Sequence, residues 1–187
     1  LTPAAQRKKV VVIGGGPAGM EAARVAHLRG HDVTLVERQG RLGGSLLLAS
    51  TVHADNEFFL KWLVQQVQDS GIDLRLRQEA SRELLQQLKP DAIVVATGAS
   101  VLTPDIPGAQ QNNVFSGAQL RRMVEGQASA LDFTALPALL RGAANWTLKA
   151  LSAHLTPALL RRVTRVWLPL GKRVVIVGAD LAAIELA

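Results

Sequence analysis

The chain has 187 residues, 48% of them apolar and 19% charged, a balance that excludes a disordered tail and leaves roughly 70% of the unfolded surface to be buried on folding. It has no cysteine, which excludes disulfides, thiolate zinc or iron–sulfur ligation and a catalytic thiol within it. The formal net charge of +6 is local: between Asp132 and Asp180 stand seven basic residues and no acid, leaving 14 basic against 15 acidic elsewhere, and with 4% aromatics and no Tyr a nucleic-acid surface has little to build on.

Residues 1–7 read as a polar linker, after which Val10-Val11-Val12-Ile13 suits a strand buried on both faces. Gly14-Gly15-Gly16 breaks the run, and Pro17 opens a helix to about residue 29 whose small residues Ala18, Gly19, Ala22, Ala23 and Ala26 allow close contact with a sheet; Gly30 closes it. A second strand, His31 to Val36, ends at Glu37, which completes a unit of the size a parallel crossover needs. After a glycine-containing loop over 39–45, a helix over about 56–70 carries Phe59, Leu63 and Val67 at four-residue spacing. DLRLR (73–77) alternates as a strand, Ser81 caps a short helix over 82–88, and Ala92 to Ala96 predicts a fully apolar strand before Thr97-Gly98. Strands alternating with helices predict an α/β fold, an open, doubly wound parallel sheet with helices on both faces. Residues 101–118 read as loop and 119–126 as one short helix. In 136–170, Leu140, Ala144, Leu148, Leu151 and Leu155 form one apolar helical stripe, and Thr156-Pro157 starts a second helix before RVVIV (173–177) begins another buried strand.

The first turn carries the chemistry. It reads Gly14-x-Gly16-x-x-Gly19-x-x-x-Ala23, directly after a strand and opening a helix, with Glu37 ending the next strand. Gly14 permits the tight turn, Gly16 lets backbone approach a pyrophosphate, and Gly19 brings the helix against the sheet. The helix start at Pro17-Ala18 offers N–H groups and positive dipole to the phosphates. Glu37 accepts the hydroxyl protons of an adenosine ribose and repels a 2′-phosphate, so the site suits FAD, NAD or ADP rather than NADP. Arg38 either stacks on adenine or lies in solvent. Gly43-Gly44 is either a second place where backbone meets ligand or a plain loop, and Thr97-Gly98 ends a central strand on the sheet's ligand edge.

The end of the chain repeats its beginning: RVVIVGADLAAIELA (173–187) aligns without gaps on KVVVIGGGPAGMEAA (9–23), Gly178 on Gly14 and Ala183 on Gly19. Residues 8–135 and 171–187 therefore read as one dinucleotide-binding domain and the first strand and helix of a second. Asp180 stands where the second glycine of the motif belongs, a carboxylate facing a phosphate position, so nicotinamide cofactor binding by this chain is not expected.

In the run KKVVVIGGGPAGMEAARVAHLRGHDVTLVER, then RLGG (41–44), EFF..WL (57–63), PDAIVVATGA (90–99), IPG (106–108) and GKRVVIVGADLAAIELA (171–187), the chain resembles the two-dinucleotide-domain flavoproteins. It is most similar to the FAD domain of the large bacterial NADH:flavin oxidoreductases of the 2,4-dienoyl-CoA reductase and trimethylamine dehydrogenase type. The resemblance implies a Rossmann-like FAD/NAD(P)-binding fold in which Gly14, Gly16 and Gly19 contact the pyrophosphate and Glu37 the ribose. It also implies Gly43-Gly44 at the pyrophosphate and ribityl side, and Ala96-Thr97-Gly98 near the flavin. The family often has Gln after the double glycine, where this chain has Ser45. By the same resemblance the chain is a truncated piece of an enzyme that holds FMN and an iron–sulfur cluster outside it, receives electrons from NAD(P)H, and reduces an activated alkene or oxidises an amine. Its partners would be an adenine dinucleotide and the remaining domains of that enzyme. A structural ADP or AMP module is the other reading, since the motif recognises the half that both ligands share.

With no secretory pattern and no apolar run of about 18 residues, a cytoplasmic location is expected. The four histidines, His27, His31, His53 and His154, show no metal spacing. The basic segment 136–168 reads either as an amphipathic hairpin that docks on a partner domain or anionic membrane, or as a hairpin packed on its own sheet. Strand 173–177 either hangs exposed or takes an edge position in the first sheet.

Overall fold

Four short runs rich in Val, Leu and Ile form strands β1 (Lys9–Ile13), β2 (Asp32–Glu37), β3 (Asp73–Leu76) and β4 (Ala92–Val95). They pair, all in parallel, in the order β3-β2-β1-β4. Between them lie helices α1 (Pro17–Leu28), α2 (Ser45–Val52), α3 (Asp55–Gln68) and α4 (Arg82–Leu88). The structure, a computed structural model, describes residues 1–99 and, beyond them, 105–109, 111, 114, 116, 156–158, 162 and 175. The short helix expected at 119–126, most of the 136–170 segment, and the repeated turn with Gly178 and Asp180 lie outside the described residues.

Strand alternation divides the core between the two faces of the sheet. Val10 and Val12 of β1 join Val33 and Leu35 of β2 on one face, against Met20 and Ala23 of α1 and Leu60, Leu63 and Val67 of α3. On the other face Val11 and Val36 meet Leu84 of α4, with Ile13, Leu85 and Leu88 around them. Helices thus cover both faces, as a doubly wound parallel sheet requires.

Local chemistry sets the element ends. Gly30, at φ +91°, closes α1: its N–H donates to the His27 carbonyl (2.8 Å) and that of His31 to the Ala26 carbonyl (3.1 Å), the paired bonds of a left-handed glycine cap. Ser81 Oγ accepts the Leu84 N–H at 3.2 Å and starts α4, which ends at Lys89 in the left-handed region just before Pro90. The lead-in is tied down where the Ala4 N–H donates to the Arg29 carbonyl (2.9 Å) and where the Arg7 guanidinium donates to the Asp32 carboxylate (3.1 Å). Farther along, Thr156 is exposed and non-helical while Pro157, Ala158 and Arg162 have helical backbone, the placement of a cap followed by proline at the first helical position.

Four expectations change. The buried stripe of α3 runs Leu60, Leu63, Val67, and Phe59 is 48% exposed, because spacings of three and four serve either register and the neighbouring α1 and α2 select one. β4 forms where predicted but is the edge of the sheet among the described residues, with Val95 70% exposed rather than buried. Residues 45–52, read as the end of a loop with nothing after it, form α2; its Ser50 and Thr51 hydroxyls donate to the Leu46 and Leu48 carbonyls at 2.7 and 2.6 Å. Val175, in the middle of the run predicted as a strand, is 88% exposed and outside any strand.

Candidate functional site

The C-terminal ends of β1, β2 and β4 bring nearly all the sequence-predicted residues together. Gly14 follows β1 at φ +109°, its N–H bound to the Val36 carbonyl at 2.9 Å, and a Cβ there would strike the Ala96 carbonyl oxygen. Gly19, one turn into α1, is buried so closely that a Cβ would strike the Gly14 carbonyl oxygen. These two glycines are required by the protein itself: the turn and helix pack too tightly for a side chain.

Gly16 differs. It caps α1 in extended conformation (φ −75°, ψ 179°), and a Cβ there would meet nothing within 4 Å. Pro17 follows at the first helical position, and Ala18 is exposed beside it. No atom of the described residues explains this glycine, whereas a ligand lying against the backbone would.

A second helix start adjoins the first. The Gly43 N–H donates to the Gly15 carbonyl at 2.8 Å, and a Cβ on Gly44 would stand 3.0 Å from Gly16 Cα. Gly44, at φ +53° and ψ −133°, caps α2 as Gly16 caps α1. Neither helix has a side-chain cap or an acidic residue in its first turn, so both present uncompensated positive ends to the same space. Such a pair suits a diphosphate. The motif alone pointed to α1; the α2 start was missed, because SLLLASTV is apolar nearly all round and carries no amphipathic period. Ser45, where the family often has Gln, is exposed at the first position of α2.

Glu37 ends β2 buried, at 9% exposure. Its Oε2 accepts the Gly15 N–H at 2.6 Å and its Oε1 the Gln39 N–H at 2.7 Å. Each oxygen keeps lone-pair capacity for one further donor, which is what two ribose hydroxyls need. Arg38, the next residue, is exposed. On the β4 side, the Ala96 N–H donates to the Ile13 carbonyl at 2.8 Å, extending the ladder by one residue; Thr97 and Gly98 are exposed beyond it, Gly98 at φ +80° with open space where a Cβ would be.

Among the described residues no group of His, Asp and Glu side chains is placed to hold a metal ion, and no helix is long and apolar enough to cross a membrane. The chemistry available is therefore that of backbone N–H groups, two helix ends and one buried carboxylate around an open cradle. Fold and cradle together define an α/β dinucleotide-binding domain.

Comparison with known proteins places that domain. The chain belongs to the pyridine nucleotide-disulphide oxidoreductase family, whose model matches residues 8–187. With no cysteine, it does not itself carry the disulfide that the family's name refers to. It is 44% identical over 117 residues to bilirubin reductase of Mediterraneibacter gnavus, a match covering 62% of this chain and 18% of that protein. It is 43% identical over 111 residues to NADH oxidase of Thermoanaerobacter brockii, covering 58% and 17%. Among solved structures, 2-naphthoyl-CoA reductase in complex with 2-naphthoyl-CoA superposes with a TM-score of 0.61 at 36% identity, over 67% of this chain and 19% of that one. The 6-hydroxypseudooxynicotine amine oxidase of Pseudomonas geniculata N1 gives 0.58 at 26% identity, over 65% and 20%. The chain thus spans about a fifth or less of the length of these relatives. It is a dinucleotide-binding domain of the kind found in flavoprotein oxidoreductases.

Proposed function

We propose that this chain is the FAD-holding module of a larger oxidoreductase, relaying electrons from NAD(P)H towards FMN and an iron–sulfur cluster carried on other domains. The observation that carries this reading is Gly16: a glycine with no steric need for it, opening onto the start of α1 and flanked by the start of α2 and by Glu37. Bound FAD would supply a carrier able to exchange two electrons on one side and one on the other.

The chain's own residues bind, orient and exclude water. Backbone N–H groups at the starts of α1 and α2 take the pyrophosphate, with Gly14, Gly16, Gly19, Gly43 and Gly44 letting the main chain approach it. Glu37 takes the ribose hydroxyls. Arg38 borders the adenine, and Ala96, Thr97 and Gly98 border the flavin side. No side chain described here is placed for proton transfer, and catalytic residues are assigned to the other domains. The repeated turn with Gly178 and Asp180 belongs, on this reading, to the nicotinamide-binding unit, with Asp180 weakening its phosphate contact.

The names of the relatives guide the reaction class: a bilirubin reductase, a cinnamate reductase and an N,N-dimethylglycine/sarcosine dehydrogenase point to reduction of an activated alkene or oxidation of an amine in the whole enzyme. A cytoplasmic location goes with that chemistry.

An absorbance spectrum of the purified chain, with mass spectrometry of what acid releases from it, tests the reading. Flavin bands and released FAD are expected. A colourless protein releasing ADP or AMP would replace the relay with a structural nucleotide module, and a protein that takes up none of these after FAD addition would remove the binding assignment.

A further inference from the structure

The corner beyond Glu37 holds a second arginine that the sequence motif does not include. β2 and β3 pair with Glu37 opposite Leu76, so Arg38 and Arg77 each stand one residue past that pair, at the ends of adjacent strands. The backbone keeps them there. The Arg77 N–H donates to the Gln39 carbonyl at 2.9 Å and the Gln78 N–H to the Glu37 carbonyl at 3.0 Å, which extends the β2–β3 contact around the ribose carboxylate.

Arg77 adopts φ +56°, a left-handed conformation uncommon for residues with a side chain. Its guanidinium lies across Gly40, where a Cβ would come within 3.0 Å of Nε and 3.5 Å of Nη2. Arg77 is exposed, as is Arg38, and neither side chain has an ion-pair or hydrogen-bond partner among the described residues. An exposed cation without a partner among the described residues, held on a backbone conformation uncommon for a residue with a side chain, is an arrangement that folding alone does not favour.

The order of the sheet says what the corner can take. A dinucleotide with its pyrophosphate over the β1 end and a ribose on Glu37 at the β2 end continues outward, one strand spacing of about 4.8 Å further, to the β3 end. The group that follows the ribose is the base. A planar guanidinium beside it offers stacking and cation–π attraction, which Lys supplies less well.

We infer that Arg77 is an adenine-recognising residue of this site, presenting its guanidinium, held against Gly40, to the purine ring on the side away from β2. The inference rests on the dinucleotide reading above and adds to it a residue and a preference for purine.

The test is calorimetric titration of the full chain and its Arg77→Gln and Arg77→Lys variants with FAD, ADP and UDP, with circular dichroism to verify that the exposed substitutions leave the fold intact. Arg77→Gln should weaken FAD and ADP alike by roughly three- to tenfold, UDP by clearly less, and Arg77→Lys should fall between. Unchanged FAD and ADP binding in Arg77→Gln overturns the inference and leaves the dinucleotide reading standing. So does loss confined to FAD, which would place Arg77 at the flavin end, and so does an equal loss for ADP and UDP, the mark of a merely structural role. Full affinity in Arg77→Lys overturns the stacking assignment. If the parent chain binds neither FAD nor ADP, the dinucleotide reading fails and the inference with it.

Discussion

The N–H of Gly15, in the first glycine turn, and the buried carboxylate of Glu37, at the end of the neighbouring strand, are joined by a 2.6 Å hydrogen bond. Glu37 therefore braces the turn in addition to the ribose-binding role proposed for it. Glu37→Ala is expected to lose about 1.5–3 kcal/mol of stability in urea unfolding, because a buried N–H loses a charged acceptor, and to weaken FAD retention beyond that. Glu37→Gln should fall between, since the amide can accept one of the two N–H groups but turns its NH₂ towards the other. A Glu37→Ala protein as stable as the parent would show that the brace contributes nothing.

The glycines of one motif should part company on substitution. Gly19→Ala drives a methyl into the Gly14 carbonyl and should destabilise the fold by roughly 1–3 kcal/mol or more. Gly16→Ala enters open space with φ −75°, so its melting temperature should stay within a degree or two of the parent. Its FAD affinity should nonetheless drop at least tenfold, about 1.4 kcal/mol, as the methyl occupies the cradle. Thermal melts and titrations on the two variants decide it, and Gly16→Ala with unaltered affinity would move the pyrophosphate elsewhere.

In the core, Leu63 of α3 is fully buried against α1 and the sheet. Leu63→Ala should cost about 2–5 kcal/mol. Phe59→Ala, on the adjacent exposed face, should cost far less, although its ring stacks on Trp62 at 5.9 Å. Chemical denaturation midpoints compare the two directly; equal losses would restore the stripe that four-residue spacing from Phe59 suggests.

On the outer surface Arg24 binds Glu21 through two short bonds (2.7 and 2.8 Å) and lies 5.4 Å from the centre of the Trp62 ring. The hydrogen bond from Arg24 holds the Glu21 carboxyl below its ordinary value of 4.5, burial opposing and the charge of Arg24 adding to it. A lowered carboxylate pKa stabilises the fold fully above pH 4.5 and progressively less below it as the proton is taken up in the folded state. Since the Glu21 side chain is 46% exposed, the pair is worth at most about 1 kcal/mol. Glu21→Gln should therefore be slightly less stable than the parent at neutral pH and indistinguishable from it in strong acid.

What the sequence shows of this molecule is governed by how local each cause is. Gly14, Gly16, Gly19 and Glu37 were legible because a strand, a turn and a helix start impose distinct demands within some thirty residues. The ends of α1 and α4 were legible because Gly30, Ser81 and Pro90 act on their own neighbours. The register of α3, the edge position of β4 and the convergence of α2 on α1 were not, because each is decided by a partner far along the chain. Arg77 escaped notice for the same reason: nothing in RLRQE marks it until β3 lies beside β2.

The pairing of β1 with β4 has a consequence for the order of assembly. The Lys9 N–H bonds to an Asp91 carboxylate oxygen 82 residues later, and Gly14 meets Ala96 across a similar span. β1, α1 and β2 can associate as soon as they leave the ribosome, whereas β1 must wait with one edge open until β4 has been made. The turn proposed to hold the pyrophosphate is therefore among the first parts synthesised and among the last to be walled in, so a nascent chain halted before residue 91 should lack a complete dinucleotide cradle.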